Sequence, residues 1–314
     1  MMQPMLTAAR VVVVSGKGGV GKTTVAAAIA LAAARRGDKV LVADLEDRES
    51  VAPIFGRDAL PHEERQIAPG ITGVSVIPDA ALVEYFRVVY RVPRASRALL
   101  RSKAVEFATQ VAPGLRDILL IGSIMEFERR RPDGRPAYDT IVVDAPPTGR
   151  LPRLLDAPRA IVDMVRAGPV KPQAQKVLDM VTNPKRLHVV LVAHPEEMPV
   201  RETLEAVESL QKLGVALGPI VVNGIWPDAP TLGRSPGQTL RAAATEAGLD
   251  LGDEAIDALA TVNTAHARRV ANQKDALREL GSVSLPRIDL PYLFTERIGA
   301  SEISHLAGSL KEHL

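Results

Sequence analysis

Gly16-Lys17-Gly18-Gly19-Val20-Gly21-Lys22-Thr23 is the stretch that decides the fold. The apolar β-branched run Val11-Val12-Val13-Val14 precedes it, and a small-residue stretch from Thr24 to Arg36 follows as a helix. Strand, glycine loop and helix in that order make a G-x-x-x-x-G-K-[ST] match credible as a phosphate loop. Gly16, Gly18, Gly19 and Gly21, with Val20 between the last two, let successive backbone N–H groups curl inward around phosphate oxygens. Lys22 reaches the β- and γ-phosphates as a point charge, the Thr23 hydroxyl offers a ligand to Mg²⁺, and Thr24 opens the helix beneath the nucleotide. A glycine-rich turn without a ligand is the competing reading, and motif and context together disfavour it. The loop predicts a nucleoside triphosphate.

Outward from the loop, Lys39 to Asp44 carries the run Val40-Leu41-Val42-Ala43, suited to a buried parallel strand. It ends in acid at Asp44-Leu45-Glu46-Asp47, where ligands bind in a doubly wound sheet. Tyr138 to Asp144 is a further apolar strand that delivers Asp144, a Walker B acid placed to hold the water shell of Mg²⁺. Gly149 then offers a pivot of the kind that answers loss of a γ-phosphate. Other strands are read at Val74 to Ile77, Leu187 to Ala193, Gly218 to Val222 and Ser282 to Ile288. Helices are read from the His194–Thr203 loop to about Leu213, at Gln238 to Ala247, Asp253 to Leu280 and Ala300 to His313. The expected architecture is α/β: a P-loop NTPase with a mostly parallel sheet flanked by helices. Residues 1–314 form a single domain, with helical insertions at about 79–135 and 156–185.

Composition narrows the function. With 39 Lys and Arg against 37 Asp and Glu, the net charge of +2 is too balanced to call for a nucleic-acid partner. The clusters Arg129-Arg130-Arg131 and Arg91, Arg94, Arg97 and Arg101 read as solvated helix faces. No cysteine is present, which excludes disulfides, Cys-ligated zinc, iron–sulfur clusters and a thiolate site for arsenite. His188 and His194 lack partners at metal spacing. Met1 to Arg10 has no apolar core of a secretory signal, and no apolar stretch is long enough to span a bilayer. A cytoplasmic protein is expected.

Two motifs carry a family resemblance. Lys17 after the first glycine makes K-G-G-V-G-K-T, which resembles the deviant Walker A of the dimeric ATPases that include MinD, ParA, nitrogenase iron protein and the arsenical-pump ATPases. Asp144 to Leu155 resembles the D-x-A-P-T-G-x-x-x-R-x-L switch II of the arsenical-pump and tail-anchored-protein-targeting branch. It departs at Pro146, where that branch has alanine, and at Arg150, where histidine is common. The resemblance implies that Lys17 reaches the partner subunit's nucleotide; a solvated loop lysine is the alternative. It puts Glu46 where the family has its switch I catalytic aspartate and Asp44 at the preceding acid; an acidic turn closing the strand remains open.

The same resemblance makes Asn223 the reader of the adenine edge, against a plain turn residue before Gly224, and has the backbone around Pro291 close over the base. Pro113-Gly114-Leu115-Arg116-Asp117 matches a Pro-Gly-x-x-acid motif, and His194 to Thr203 a connector that opens on Pro-Glu and closes on Glu-Thr. Residues past Leu155, with Met164 and Met180, match a client groove or are simply core. Implied overall are ATP and Mg²⁺, a homodimer or a heterodimer with a paralogue, and a membrane-protein client. A MinD/ParA-type positioning ATPase and a nucleotide-binding regulator with little hydrolysis are the alternatives.

Overall fold

The computed structural model describes residues 5–45, 51–78, 81–82, 114–166, 170–233 and 235–314. Glu46, Asp47, the arginines from Arg91 to Arg101, and Pro113 lie outside the described residues. Eight strands form one sheet: β1 (Val11–Gly16), β2 (Val40–Leu45), β3 (Arg65–Ala68), β4 (Ile71–Val76), β5 (Thr140–Asp144), β6 (Leu187–Ala193), β7 (Leu217–Ile225) and β8 (Arg287–Pro291). Their order is β3-β4-β2-β5-β1-β6-β7-β8, parallel throughout except for the β3–β4 hairpin. Every residue of β1, β2, β5 and β6 is buried, which is why these strands read as near-continuous apolar runs rather than alternating ones. The expected α/β architecture is the one observed.

Helices cover both faces. On one, α1 (Lys22–Arg36) and the terminal α8 (Ala300–Leu310) pack together, with Ala26 to Ala30 fully buried. Alanine is the residue for this position because a side chain of one carbon lets the helix lie close on a sheet of valines. The opposite face carries α2 (Leu115–Arg129), α3 (Leu151–Met164), α4 (Val170–Val181), α5 (Glu197–Lys212) and the C-terminal end of α7 (Asp253–Leu280). The remaining helix, α6 (Pro236–Glu246), packs against α7. From 156 to 185, Val177, Met180 and Val181 join the core under the sheet and Ala157 is buried, while Met164 is 77% exposed.

Several boundaries differ from the sequence reading. The last strand begins at Arg287, not Ser282, because Pro286 has no N–H to give a ladder; only its carbonyl pairs, accepting from Ile220 N–H at 2.8 Å. It therefore runs on through Pro291. β7 likewise extends past Val222 to Ile225, so Asn223 lies inside a strand rather than in the turn after one. The antiparallel edge strand β3 was not foreseen, and the terminal helix gives way at Leu310 to a 3-10 turn.

Candidate functional site

β1 delivers the glycine loop at the C-terminal edge of the sheet's centre. At Gly16 a Cβ would lie 2.1 Å from the Val192 carbonyl oxygen of β6, so only glycine lets the two strands stay paired there. Gly19 and Gly21 are left-handed (φ 87° and 84°), a conformation that costs other residues energy. Around Gly18 and Gly19 a Cβ would meet nothing within 4 Å, so the loop backbone stands clear, as a phosphate cradle must. Gly21 caps α1 with no side-chain bond to its first N–H groups. Those donors sit at the positive end of the helix dipole, ready for an anion. Lys22 Nζ donates to the Lys17 carbonyl at 3.3 Å. The cradle fits a polyphosphate.

Two acids meet the loop from neighbouring strands. Thr23 Oγ1 donates to Asp144 Oδ2 at 2.5 Å, joining α1 to the end of β5. Asp44 and Asp144 are in register across β2 and β5, and both are buried. Asp44 Oδ2 also accepts from the Val51 N–H at 3.4 Å. Among the described residues no three His, Asp or Glu groups gather as a cage for a metal. A hydroxyl beside one buried carboxylate nevertheless fits Mg²⁺, which keeps several waters and takes few protein ligands.

The segment after β5 is pinned to the loop. Ser15 Oγ donates to the Pro146 carbonyl at 2.6 Å, and the Thr148 N–H to the Gly16 carbonyl at 3.2 Å. Arg150 then donates to Asp117 on the first turn of α2 at 3.0 Å, with Arg153 3.9 Å from the same carboxylate. Burial pushes the Asp117 carboxyl up, and Arg153 and Arg116 oppose that rise. Burial likewise lowers Arg150. At Gly149 neither φ nor space requires a glycine.

At the other end of the site, Asn223 Nδ2 donates to the Val20 carbonyl at 3.0 Å, so the amide braces the phosphate loop. An amide has two N–H donors and an acceptor, which leaves capacity for a base edge. Pro291 closes β8 opposite Ile225, whose carbonyl accepts from the Tyr292 N–H at 2.8 Å. Beyond them lies a cavity of about 770 Å³ bordered by His194, Arg201, Trp226, Arg269 and Tyr292. Trp226 stacks on Tyr292 at 4.3 Å, and the Arg269 guanidinium covers its ring at 4.5 Å. Sequence reasoning missed this stack. It also missed the carboxylate that holds Lys17: Lys17 Nζ lies 2.7 Å from Glu202 Oε1 on α5. The one available signal for it was the connector's closing Glu-Thr pair, Glu202-Thr203.

The family model described as "Anion-transporting ATPase" matches residues 9–167 and 165–235. The ATPase BagA of Mycobacterium tuberculosis is 36% identical over 322 residues, covering 98% of this chain and 94% of that protein. A putative ATPase of Mycobacterium bovis gives the same figures, 36% identity over 98% of this chain and 94% of its own length. The arsenical pump-driving ATPase of Escherichia coli is 25% identical over 230 residues, which is 68% of this chain but 39% of that longer protein.

Proposed function

The chain belongs to the anion-transporting ATPase family and is an ATPase, and on that premise we propose that it works as a Mg²⁺-dependent, nucleotide-gated dimer. The observation that carries this reading is the Thr23–Asp144 contact at the mouth of the glycine loop, a hydroxyl and a carboxylate brought together at 2.5 Å where the phosphates would lie. Backbone N–H groups of Gly16 to Thr24 bind the phosphates, and Lys22 adds a charge to the β- and γ-oxygens. Thr23 and Asp144 hold Mg²⁺, which when bound neutralises charge on the same oxygens. Asn223 and Pro291 orient the adenine. Glu46, the next residue in sequence after β2, orients the attacking water, Asp44 is the preceding acid of the same motif, and Lys17 serves the nucleotide of the second subunit. Residues 1–314 act as one P-loop domain.

The energy is spent on a membrane-protein client or membrane partner, from a cytoplasmic position. An arsenite cargo is disfavoured because soft As(III) takes thiolates and the chain has no cysteine. Without cysteines no Cys-ligated zinc can join the two subunits, so homodimer or paralogue contacts must suffice. A positioning ATPase of the MinD kind needs a free amphipathic helix to meet a membrane, and α8 does not serve as one. Here Ile303, Leu306, Ala307 and Leu310 of α8 are buried, spending that helix's apolar face on the core. Among the described residues no helix is long and apolar enough to cross a membrane.

Phosphate release by wild type and Lys22→Ala, each with Mg²⁺ and with excess EDTA, tests the reading. Turnover should appear only in wild type with Mg²⁺. Equal rates in all four arms would refute it, and binding without turnover in wild type would favour the regulator.

A further inference from the structure

Lys17 does not stand loose on the loop. Its ammonium is 2.7 Å from Glu202 Oε1, with the two side chains 32% and 35% exposed. Glu202 sits on a rigid support: Val200, Val207 and Leu210 bury the inner face of α5, and Thr203 Oγ1 donates back to the Pro199 carbonyl at 2.8 Å. The neighbouring Arg201 turns to Glu197 at 3.0 Å and Glu279 at 3.4 Å, so its charge is engaged elsewhere. The backbone of Lys17 is tied separately, through its carbonyl, to Lys22. One residue thus has its main chain fixed to the phosphate loop and its side chain fixed to a helix that follows β6.

We propose that Glu202 is a positioning residue for Lys17, holding the lysine against its own subunit until a second subunit's nucleotide competes for it. This rests on the two-subunit reading given above. The chemistry of the exchange is one anion for another. A single carboxylate in a partly exposed pair binds an ammonium weakly, and a triphosphate carries several times its charge in one place. The nucleotide therefore wins when it is present across the interface, and the carboxylate wins when it is not. The pair also removes a penalty, because two lysines brought face to face without phosphate would repel each other, and Glu202 neutralises each of them. Glu202 makes delivery of Lys17 conditional on nucleotide rather than merely permitted by it.

The test uses the full chain, wild type and Glu202→Gln, each in the Lys17 and Lys17→Ala backgrounds, with Glu202→Asp as the conservative variant. Thermal melts confirm that each is folded. First, the Lys17 amine is labelled with an amine-reactive ester in nucleotide-free protein and its peptide followed by mass spectrometry. Glu202→Gln should label faster than wild type, with Glu202→Asp between them. Second, sedimentation with Mg²⁺ and non-hydrolysable ATP should show a dimer about two- to thirty-fold tighter in Glu202→Gln, since two exposed ion pairs no longer have to be broken. That gain should vanish in the Lys17→Ala background. An unchanged labelling rate, a weaker dimer in Glu202→Gln, or a gain that survives Lys17→Ala would each overturn the proposal. If wild type dimerises with nucleotide and Glu202→Gln matches it, the proposal alone fails. If wild type stays monomeric with nucleotide, the two-subunit reading fails and the proposal with it.

Discussion

Gly21→Ala should damage the phosphate loop in two separable ways. The first is local: Gly21 has φ 84°, and a residue with a Cβ is penalised there by about 1–2 kcal/mol. The second is tertiary. The new methyl would lie 2.4 Å from Asn223 Nδ2, the atom that donates to the Val20 carbonyl at 3.0 Å. The amide must swing away, and losing that bond costs about 0.5–1.5 kcal/mol. Together the substitution should destabilise the protein by about 1.5–3.5 kcal/mol. Urea unfolding without nucleotide measures it, in wild type and in Asn223→Ala. In the second background the bond is already absent, so only the local penalty should remain. A coupling of about 0.5–1.5 kcal/mol between the two sites is the expected result. Equal costs in both backgrounds would show that Asn223 does not brace the loop, and would refute the reasoning.

The central element was legible because its signals are local. A β-branched run, four glycines and an alanine-rich helix are adjacent in sequence, and the structure keeps them as β1, loop and α1. The same holds for Asp144, which a run of apolar residues delivers to the end of β5. What the sequence hid depends on partners far along the chain. The strand carrying Asn223 reads as closing at Val222, with Gly224 leaving a turn residue as the alternative to an adenine reader, yet pairing with Leu290 on β8 keeps Asn223 in the strand. The ion pair of Lys17 with Glu202 joins a loop to a helix that only sheet order brings together. Arg150 and Asp117 meet because α3 packs on α2, and no periodicity announces that contact. The start of β8 was misread for a different reason: Leu285 has strand character, but Pro286 removes the donor that pairing there would need.

Three further outcomes follow from the site and the core. Asp144→Asn should raise the Mg²⁺ concentration for half-maximal turnover by about 10–100-fold, as loss of an outer-shell partner does, while nucleotide affinity in EDTA stays the same. A parallel loss of EDTA affinity would show that Asp144 only supports the loop. Glu46→Gln should leave Mg·ATP binding intact by calorimetry and slow turnover by about 10²–10⁴. Near-normal turnover would move the role to Asp44 or Asp47. The last outcome concerns His188, whose Nε2 is 3.1 Å from the Leu6 carbonyl inside the core and ties the N-terminal segment to β6. Burial lowers its pKa from 6.5 to about 4, so the folded protein keeps it neutral where the unfolded chain has already taken up a proton. Between those values the unfolded state binds more protons, and stability must rise with pH. The contribution is complete above pH 6.5, falls as acid is added, and is gone below about pH 4; its full size is about 3 kcal/mol. Urea unfolding at pH 7.5, 5.5 and 4.5 should therefore show a steeper acid loss in wild type than in His188→Gln, which has no charge to bury. Parallel curves would mean that His188 is hydrated or already protonated in the fold, and that the Leu6 contact does not seal the N-terminal segment over it.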